Sequence, residues 1–476
     1  MSDPRRHAPP APRRLAALLL ATLTFGAALS AHAQISPALT ALRPIKGISY
    51  QPSPSDDCQL QTQYNGVQPC QGLNGYNPTY FDTDFYNTDF ALLWGPGTTA
   101  TPGRNDLATL AAQGINFLHL YNWNAQRDHG SFLDAVAAKN MKVMVPISNY
   151  TACLIVGGCQ GVQTGSYQNA YNNIQAIFNQ VYPNGGTTPH QGIGAWGVFN
   201  EYDYNNIDPA NVAFAIQAIL GLEAAAGIPA ANRLPIMVPA SNAVNANSQY
   251  AWFQTAQALY QAIPGANSSI PPGVLANIAV SFTLQNAQAN NVTSYGGVTV
   301  GAVPANFWTT RYIATVNPFT SGPTINAYIL NANQFQSAFP GAPVAITTPV
   351  NLTWGAAWNA LPPLFLSEMG INIGGSGSPG TPQTQATWIL SQLQCTNPWA
   401  VDPTSTTSGY FLGSNVFEFE YEGANGRWGM FTFPSPLNYT TGTTTSGATY
   451  RIDTLSAQPA WANVKTGFAA TNKSCS

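Results

Sequence analysis

Short apolar runs alternate with helix-patterned stretches along this chain, and that alternation narrows the folds open to it more than any other feature. Ile45–Tyr50, Ile115–Tyr121, Lys142–Ile147, Trp196–Phe199, Pro235–Pro239, Thr324–Ile329, Pro363–Ser367 and Gly413–Phe419 read as strands. Between them, Asn105–Gln113, Ser131–Lys139 and Tyr167–Val181 carry helical spacing. Asp208-Pro209 opens a further helix that runs to Ala226 before Gly227, because aspartate caps a free amide and proline suits the first turn. Thr381-Pro382 opens another that reaches Gln394. Strands and helices in this order predict an α/β fold, a TIM (β/α)8 barrel with a long insertion after strand five. The insertion, Ala243 to Pro323, is rich in Asn, Ala, Gly and Pro and lacks a sustained apolar period, so it reads as elaborated loop. A doubly wound open sheet is the rival architecture, but no glycine-rich phosphate loop supports it.

Residues 1–33 have the form of a cleaved export signal. Arg5, Arg6, Arg13 and Arg14 precede the apolar stretch Leu15–Leu29, and Ala31-His32-Ala33 is a small-residue cleavage site. Residues 34–476 are then expected to form one barrel domain with a C-terminal extension from Asn438, in a secreted or periplasmic protein. No second apolar stretch is long enough for a membrane span. The leader takes four arginines and one aspartate from totals of 16 basic and 19 acidic residues, leaving 12 and 18. That balance excludes a basic nucleic-acid surface, and low charge with abundant Asn, Gln, Thr, Tyr and Trp suits a neutral polymer as partner. All six cysteines lie after the leader, which argues for disulfides. Among fifteen possible pairings, Cys58–Cys70, Cys153–Cys159 and Cys395–Cys475 are preferred. No C-x-x-C occurs, and His119, His129 and His190 lack ligand spacing, so neither metal nor cofactor is expected.

The chain has only six glutamates, and two end predicted strands: Glu201 after Trp196–Phe199 and Asn200, and Glu368 after Pro363–Ser367. In a barrel the C-terminal strand ends converge on one mouth, so these distant acids become neighbours. Paired carboxyl groups at one mouth suit cleavage of a glycosidic bond. The plainer reading makes each a strand cap or an arginine partner.

Asn200-Glu201 at the end of strand four, with a second glutamate ending strand seven, resembles the retaining glycosidases of clan A. Within that clan, four segments are similar to the β-1,3-glucanosyltransferases of glycoside hydrolase family 72. They are Lys46–Pro52, Gly114–Asn122, Ser367–Asn372, and Phe417-Glu418-Phe419 through Glu422 with Asn425 and Trp428-Gly429. The matches spread from Lys46 to about Phe431. His119 stands where the family pattern has an arginine, and the 243–323 segment has no counterpart, so the chain looks like a divergent, bacterial-type relative.

The resemblance implies Glu368 as nucleophile and Glu201 as acid/base, acting on a β-glucan through a glycosyl-enzyme. Asn200 would hold the sugar 2-hydroxyl, and Tyr328, placed on strand six, would touch the nucleophile. Tyr50, Gln51, Tyr121 and Asn122 at strand exits would line donor subsites. Glu418, Glu420 and Glu422 fall on one face of strand eight by period two; Glu422 is the expected sugar ligand, the others pairing with Arg427 or solvent. Trp94, Trp123 and Trp428 are candidate sugar platforms, Trp428 first among them. A non-catalytic glycan-binding protein and an endo-hydrolase of another β-glycan are the competing readings. Hydrolysis and transfer share an intermediate and are not separated by sequence, nor is the oligomeric state.

Overall fold

The computed structural model describes residues 37–55, 84–159, 162–241, 254, 256–258, 272–326, 344–346, 352–354, 363–374, 380–402, 411–420, 428–433, 439–445, 447 and 449–475. Eight parallel strands close a barrel: β1 (Ile45–Ser49), β2 (Phe117–His119), β3 (Lys142–Ile147), β4 (Ile193–Val198), β5 (Ile236–Ala240), β6 (Tyr312–Val316), β7 (Leu364–Met369) and β8 (Phe411–Val416). Each pairs with its neighbours in sequence, and β8 closes on β1 with Ile45 opposite Gly413 and Ile48 opposite Val416. The TIM barrel is thus established by its own strand pairing.

Alternation along the strands builds the interior. Ile45, Phe117, Met144, Ala195, Met237, Ile313, Phe365 and Leu412, one from each strand, meet on the barrel axis with Leu39 beneath them. The opposite faces of the strands, including Ile48, Leu118, Val143, Val145, Trp196 and Leu366, join the larger core under the helices. The helices that matter for the mouth are α1 (Asp106–Ala112), α2 (Gly130–Ala138), α3 (Asn149–Val156), α4 (Tyr167–Val181), α5 (Pro209–Ala225), α6 (Pro272–Ala289), α7 (Pro382–Val401) and α8 (Pro459–Phe468). Asp208 caps α5 through the amide of Ala210, and Thr381 caps α7 through that of Thr384. No described helix is long and apolar enough to cross a membrane.

The sixth strand differs from its expected place. It is Tyr312–Val316, inside the segment read as loop, and residues 322–326 are helical. The long connection after strand five therefore holds barrel elements: α6 packs on β5 and β6, with Asn277 Nδ2 donating to the Gly273 and Thr315 carbonyls and Tyr312 Oη donating to Asn277 Oδ1. The physical reason is that a helix facing a barrel wall needs only small and medium apolar residues. Leu275, Ala276, Ile278, Ala279, Val280 and Leu284 of α6 are all buried, without the bulky periodicity that makes a helix obvious in sequence.

Two predicted disulfides form, Cys153–Cys159 and Cys395–Cys475; Cys58 and Cys70 lie outside the described residues. The C-terminal extension folds as a hairpin, Tyr439–Thr443 against Thr449–Asp453, and then α8, which packs on α7. Arg43, just before β1, donates from Nε to the Ala400 carbonyl at 2.6 Å and also bonds the carbonyls of Trp399 and Asp402.

Buried charges in the wall are paired. Arg311 forks onto Glu223 at 2.7 and 2.8 Å, with Tyr182 Oη on the same carboxylate at 3.5 Å. Arg104 bridges Asp106 and Glu420. Removing one partner of such a pair strands a buried charge, whereas replacing both with apolar groups does not. Arg311→Ala is therefore expected to lower unfolding free energy by about 3–5 kcal/mol. The double variant Glu223→Met/Arg311→Met should recover most of that loss, as read from urea midpoints; equal loss in both would contradict the pairing argument.

Candidate active site

Glu368 reaches the mouth because β7 breaks its alternation. A register shift between Leu366 and Met369 against β8 turns consecutive side chains, Ser367 and Glu368, toward groups of the barrel mouth. Tyr121, just past β2, donates from Oη to Glu368 Oε1 at 2.7 Å, and its Oη lies 2.8 Å from Ser49 Oγ. Asn415 Nδ2 donates to Ser49 Oγ at 2.9 Å, which leaves the serine proton for Tyr121. Asn415, Ser49, Tyr121 and Glu368 so form one directed chain from β8 to β7. Gly47 makes room for it: a Cβ there would stand 2.3 Å from Asn415 Oδ1.

His119 completes this side. Its Nδ1 faces the Ser367 carbonyl at 3.1 Å, which requires the proton on Nδ1, and lies 3.7 Å from Glu368 Oε1. Its ring stacks on Tyr121 with centroids 4.2 Å apart. Burial lowers its pKa to about 3 against the opposing pull of the carbonyl, so the imidazole is neutral at ordinary pH.

Glu201 sits on a strained turn. Phe199 and Glu201 take left-handed backbone angles, φ 53° and 47°, which non-glycine residues adopt only where the surroundings enforce it. The enforcing contacts are visible. Asn149, at the start of α3, accepts from the Asn200 amide and donates to the Asn200 carbonyl, both at 2.9 Å. The Glu201 amide donates to the Pro239 carbonyl at 2.9 Å. Asp203, fully buried, accepts from the amide and hydroxyl of Ser241 at 2.8 and 2.9 Å, tying the turn to the end of β5.

Asn317, one residue beyond β6 and fully buried, links Glu201 to Ser367, the residue before Glu368. Its Nδ2 donates to Glu201 Oε1 at 3.1 Å and lies 3.4 Å from Asn200 Oδ1, while its Oδ1 accepts from Ser367 Oγ at 2.5 Å. Burial pushes the Glu201 carboxyl up to about 7; the Asn317 bond opposes that rise and the charge of Asp203 adds to it. A pocket of about 10 Å³, room for one water, opens between the two sides and is lined by His119, Tyr121, Met144, Ser148, Phe199 and Asn200.

Half-buried aromatics wall the mouth. Trp428 packs on Phe319 with centroids 4.7 Å apart and on Phe417 at 5.6 Å, and Phe417 lies edge-on to Tyr121 at 6.4 Å. Phe319, Phe417, Asn317, Asn149 and Asp203 are additions that sequence reasoning missed; only Phe417 stood inside a quoted motif.

The other candidates are placed as follows. Tyr50 is fully buried with its hydroxyl on Asp106 Oδ2 at 3.1 Å, so it packs in the core and faces away from the mouth. Gln51 is half-buried beyond it. Asn122 is half-buried, its backbone bonded to Tyr86 Oη. Trp94 and Trp123 are core residues, Trp123 stacking on His129. Strand eight stops at Val416, so the alternation expected through Glu422 does not continue as strand. Glu418 and Glu420 are buried, and Glu420 pairs with Arg104 at 3.0 Å. Tyr328, Glu422 and Arg427 lie outside the described residues.

No protein-family model and no curated protein sequence is similar to the chain. Solved structures of Saccharomyces cerevisiae Gas2p are, weakly. The complex with laminaripentaose is 11% identical with a TM-score of 0.42, over 90% of this chain and 65% of that one. A mutant bound to laminaritetraose and laminaripentaose gives 12% and 0.42, over 90% and 64%. The chain thus spans a little under two thirds of those proteins, and the barrel stands on its strand pairing rather than on these likenesses.

The Glu201 shift has a stability consequence. The folded chain holds this proton up to about pH 7, whereas a free glutamate releases it near 4.5. The folded state is therefore favoured by Glu201 below pH 4.5, and that advantage is lost as pH rises through 7. Glu201→Gln should match the parent near pH 4 and exceed it near pH 8 by on the order of 3 kcal/mol, measured as denaturation midpoints. A variant equally stable relative to the parent at both pH values would contradict the shift.

Proposed function

We propose that this chain is a retaining glycosidase or transglycosidase acting on β-glucan, with β-1,3-glucan the favoured substrate. The observation that carries the reading is that one buried side chain, Asn317, spans the barrel mouth, donating to the Glu201 carboxyl and accepting from Ser367, the residue before Glu368. Glu368 accepts from the Tyr121 hydroxyl, which orients its carboxyl as a nucleophile needs. Glu201 keeps its proton to about pH 7, which suits an acid.

In the first step Glu368 attacks the anomeric carbon, and the bond to the leaving oxygen breaks with its electron pair. Glu201 gives that oxygen its proton. In the second step Glu201 takes a proton from the incoming water or sugar hydroxyl, whose oxygen displaces Glu368. No cofactor enters either step. The half-buried rings of Trp428, Phe319 and Phe417 offer apolar faces for pyranose rings, and Asn200 is placed beside the acid to meet a sugar hydroxyl. The export signal and the disulfides fit a protein working outside the cytoplasm.

Mass spectrometry of products from defined β-1,3-gluco-oligosaccharides tests the reading. Products longer than the substrate identify a transferase, and shorter ones alone identify a hydrolase. Glu368→Gln and Glu201→Gln should each reduce turnover at least about a thousandfold. Binding of these sugars with no bond cleaved, across a panel of β-glucans, would instead make the chain a glycan-binding protein.

A further inference from the structure

The mouth contains a device that the two-carboxylate scheme does not require. Glu201 presents two oxygens of unlike surroundings. Oε1 accepts from Asn317 Nδ2, whereas Oε2 has no hydrogen-bond partner among the described residues. An amide can be turned end for end, which would set its oxygen against Oε1. The turn would set that oxygen against Asn200 Oδ1 as well, which now lies 3.4 Å from Nδ2, and in the present orientation the fully buried Ser367 hydroxyl donates to Asn317 Oδ1 at 2.5 Å. The residue beside the nucleophile thereby supports the orientation in which a donor faces the acid.

We propose that Asn317 is a positioning residue that confines the transferable proton of Glu201 to Oε2, and that Ser367 Oγ locks the amide in the orientation this requires. The inference rests on the catalytic reading of Glu201 given above. A carboxyl oxygen already accepting an N–H bond is the poorer site for a proton, so the proton resides on the other oxygen. When the glycosidic bond breaks, the leaving oxygen takes the electron pair of that bond and the proton from Oε2. The carboxylate so formed keeps the Asn317 bond on Oε1, which strengthens as the charge appears. The one charged neighbour acting on Glu201 is Asp203 on the same turn. From the packed elements, α3, β5, β6 and α6 bring no charged residue, β2 brings the neutral His119, and β7 brings Glu368.

The test exploits the scarcity of glutamate. Six carboxyl carbons in the full chain give a tractable 13C spectrum after labelling with [5-13C]glutamate, and Glu201→Gln assigns the signal. Removing the Asn317 bond should move the Glu201 midpoint upward by about one pH unit in Asn317→Ala. Ser367→Ala, which touches no atom of Glu201, should move it the same way by less. Water entering the vacated space would act oppositely, lowering the midpoint by easing desolvation. An unchanged or lowered midpoint in a folded variant overturns the proposal, and if Asn317→Ala does not fold, Ser367→Ala decides alone. The alkaline limb of kcat/KM on gluco-oligosaccharide should follow the NMR shift. A shifted signal in a protein without glycosidase activity upholds the Asn317 control of Glu201 and overturns the catalytic reading instead.

Discussion

Carboxyl groups buried without a full counter-charge set the terms for the rest of this structure. Elsewhere, several buried acids meet cations: Glu223 meets Arg311, and Asp106 and Glu420 meet Arg104. At the mouth the visible partners are neutral donors, a tyrosine hydroxyl on Glu368 and an asparagine amide on Glu201. Neutral donors hold a carboxyl in place without fixing its protonation state, which leaves the acids able to exchange protons in a working cycle. The cost appears as left-handed backbone at Phe199 and Glu201, and it is held by contacts from three neighbouring elements: Asn149 of α3, Ser241 after β5 and Asn317 after β6.

Much of the barrel was legible because strands and helices differ in period. Lys142–Ile147 and Tyr167–Val181 appear with the bounds their patterns predict. The sixth strand was not. Its core, Tyr312–Val316, is no more apolar than Thr324–Ile329, and only pairing with β5 and β7 distinguishes them. Locating β6 too late also hid Asn317, since an asparagine followed by proline reads as a turn.

The site residues divide along the same line. Glu201 and Glu368 were visible as acids at strand ends in a chain with few acids. Tyr121 was visible as a strand-exit residue, but its bond to Glu368 was not. Tyr50 was misplaced because position at a strand exit does not say whether a side chain turns to the mouth or to the helices. Glu420 illustrates the harder limit: its partner Arg104 is 316 residues away, and no local pattern encodes such a pair.

Helix α7 gathers both ends of the described chain. Arg43 grips its last carbonyls from the N-terminal side, while the Cys395–Cys475 bond and the packing of α8 fasten the C-terminal side to it. Tension applied between the termini would therefore run through one helix and a covalent bond. It would bypass the β1–β8 seam, the place where a barrel assembled from a linear chain is otherwise easiest to unzip.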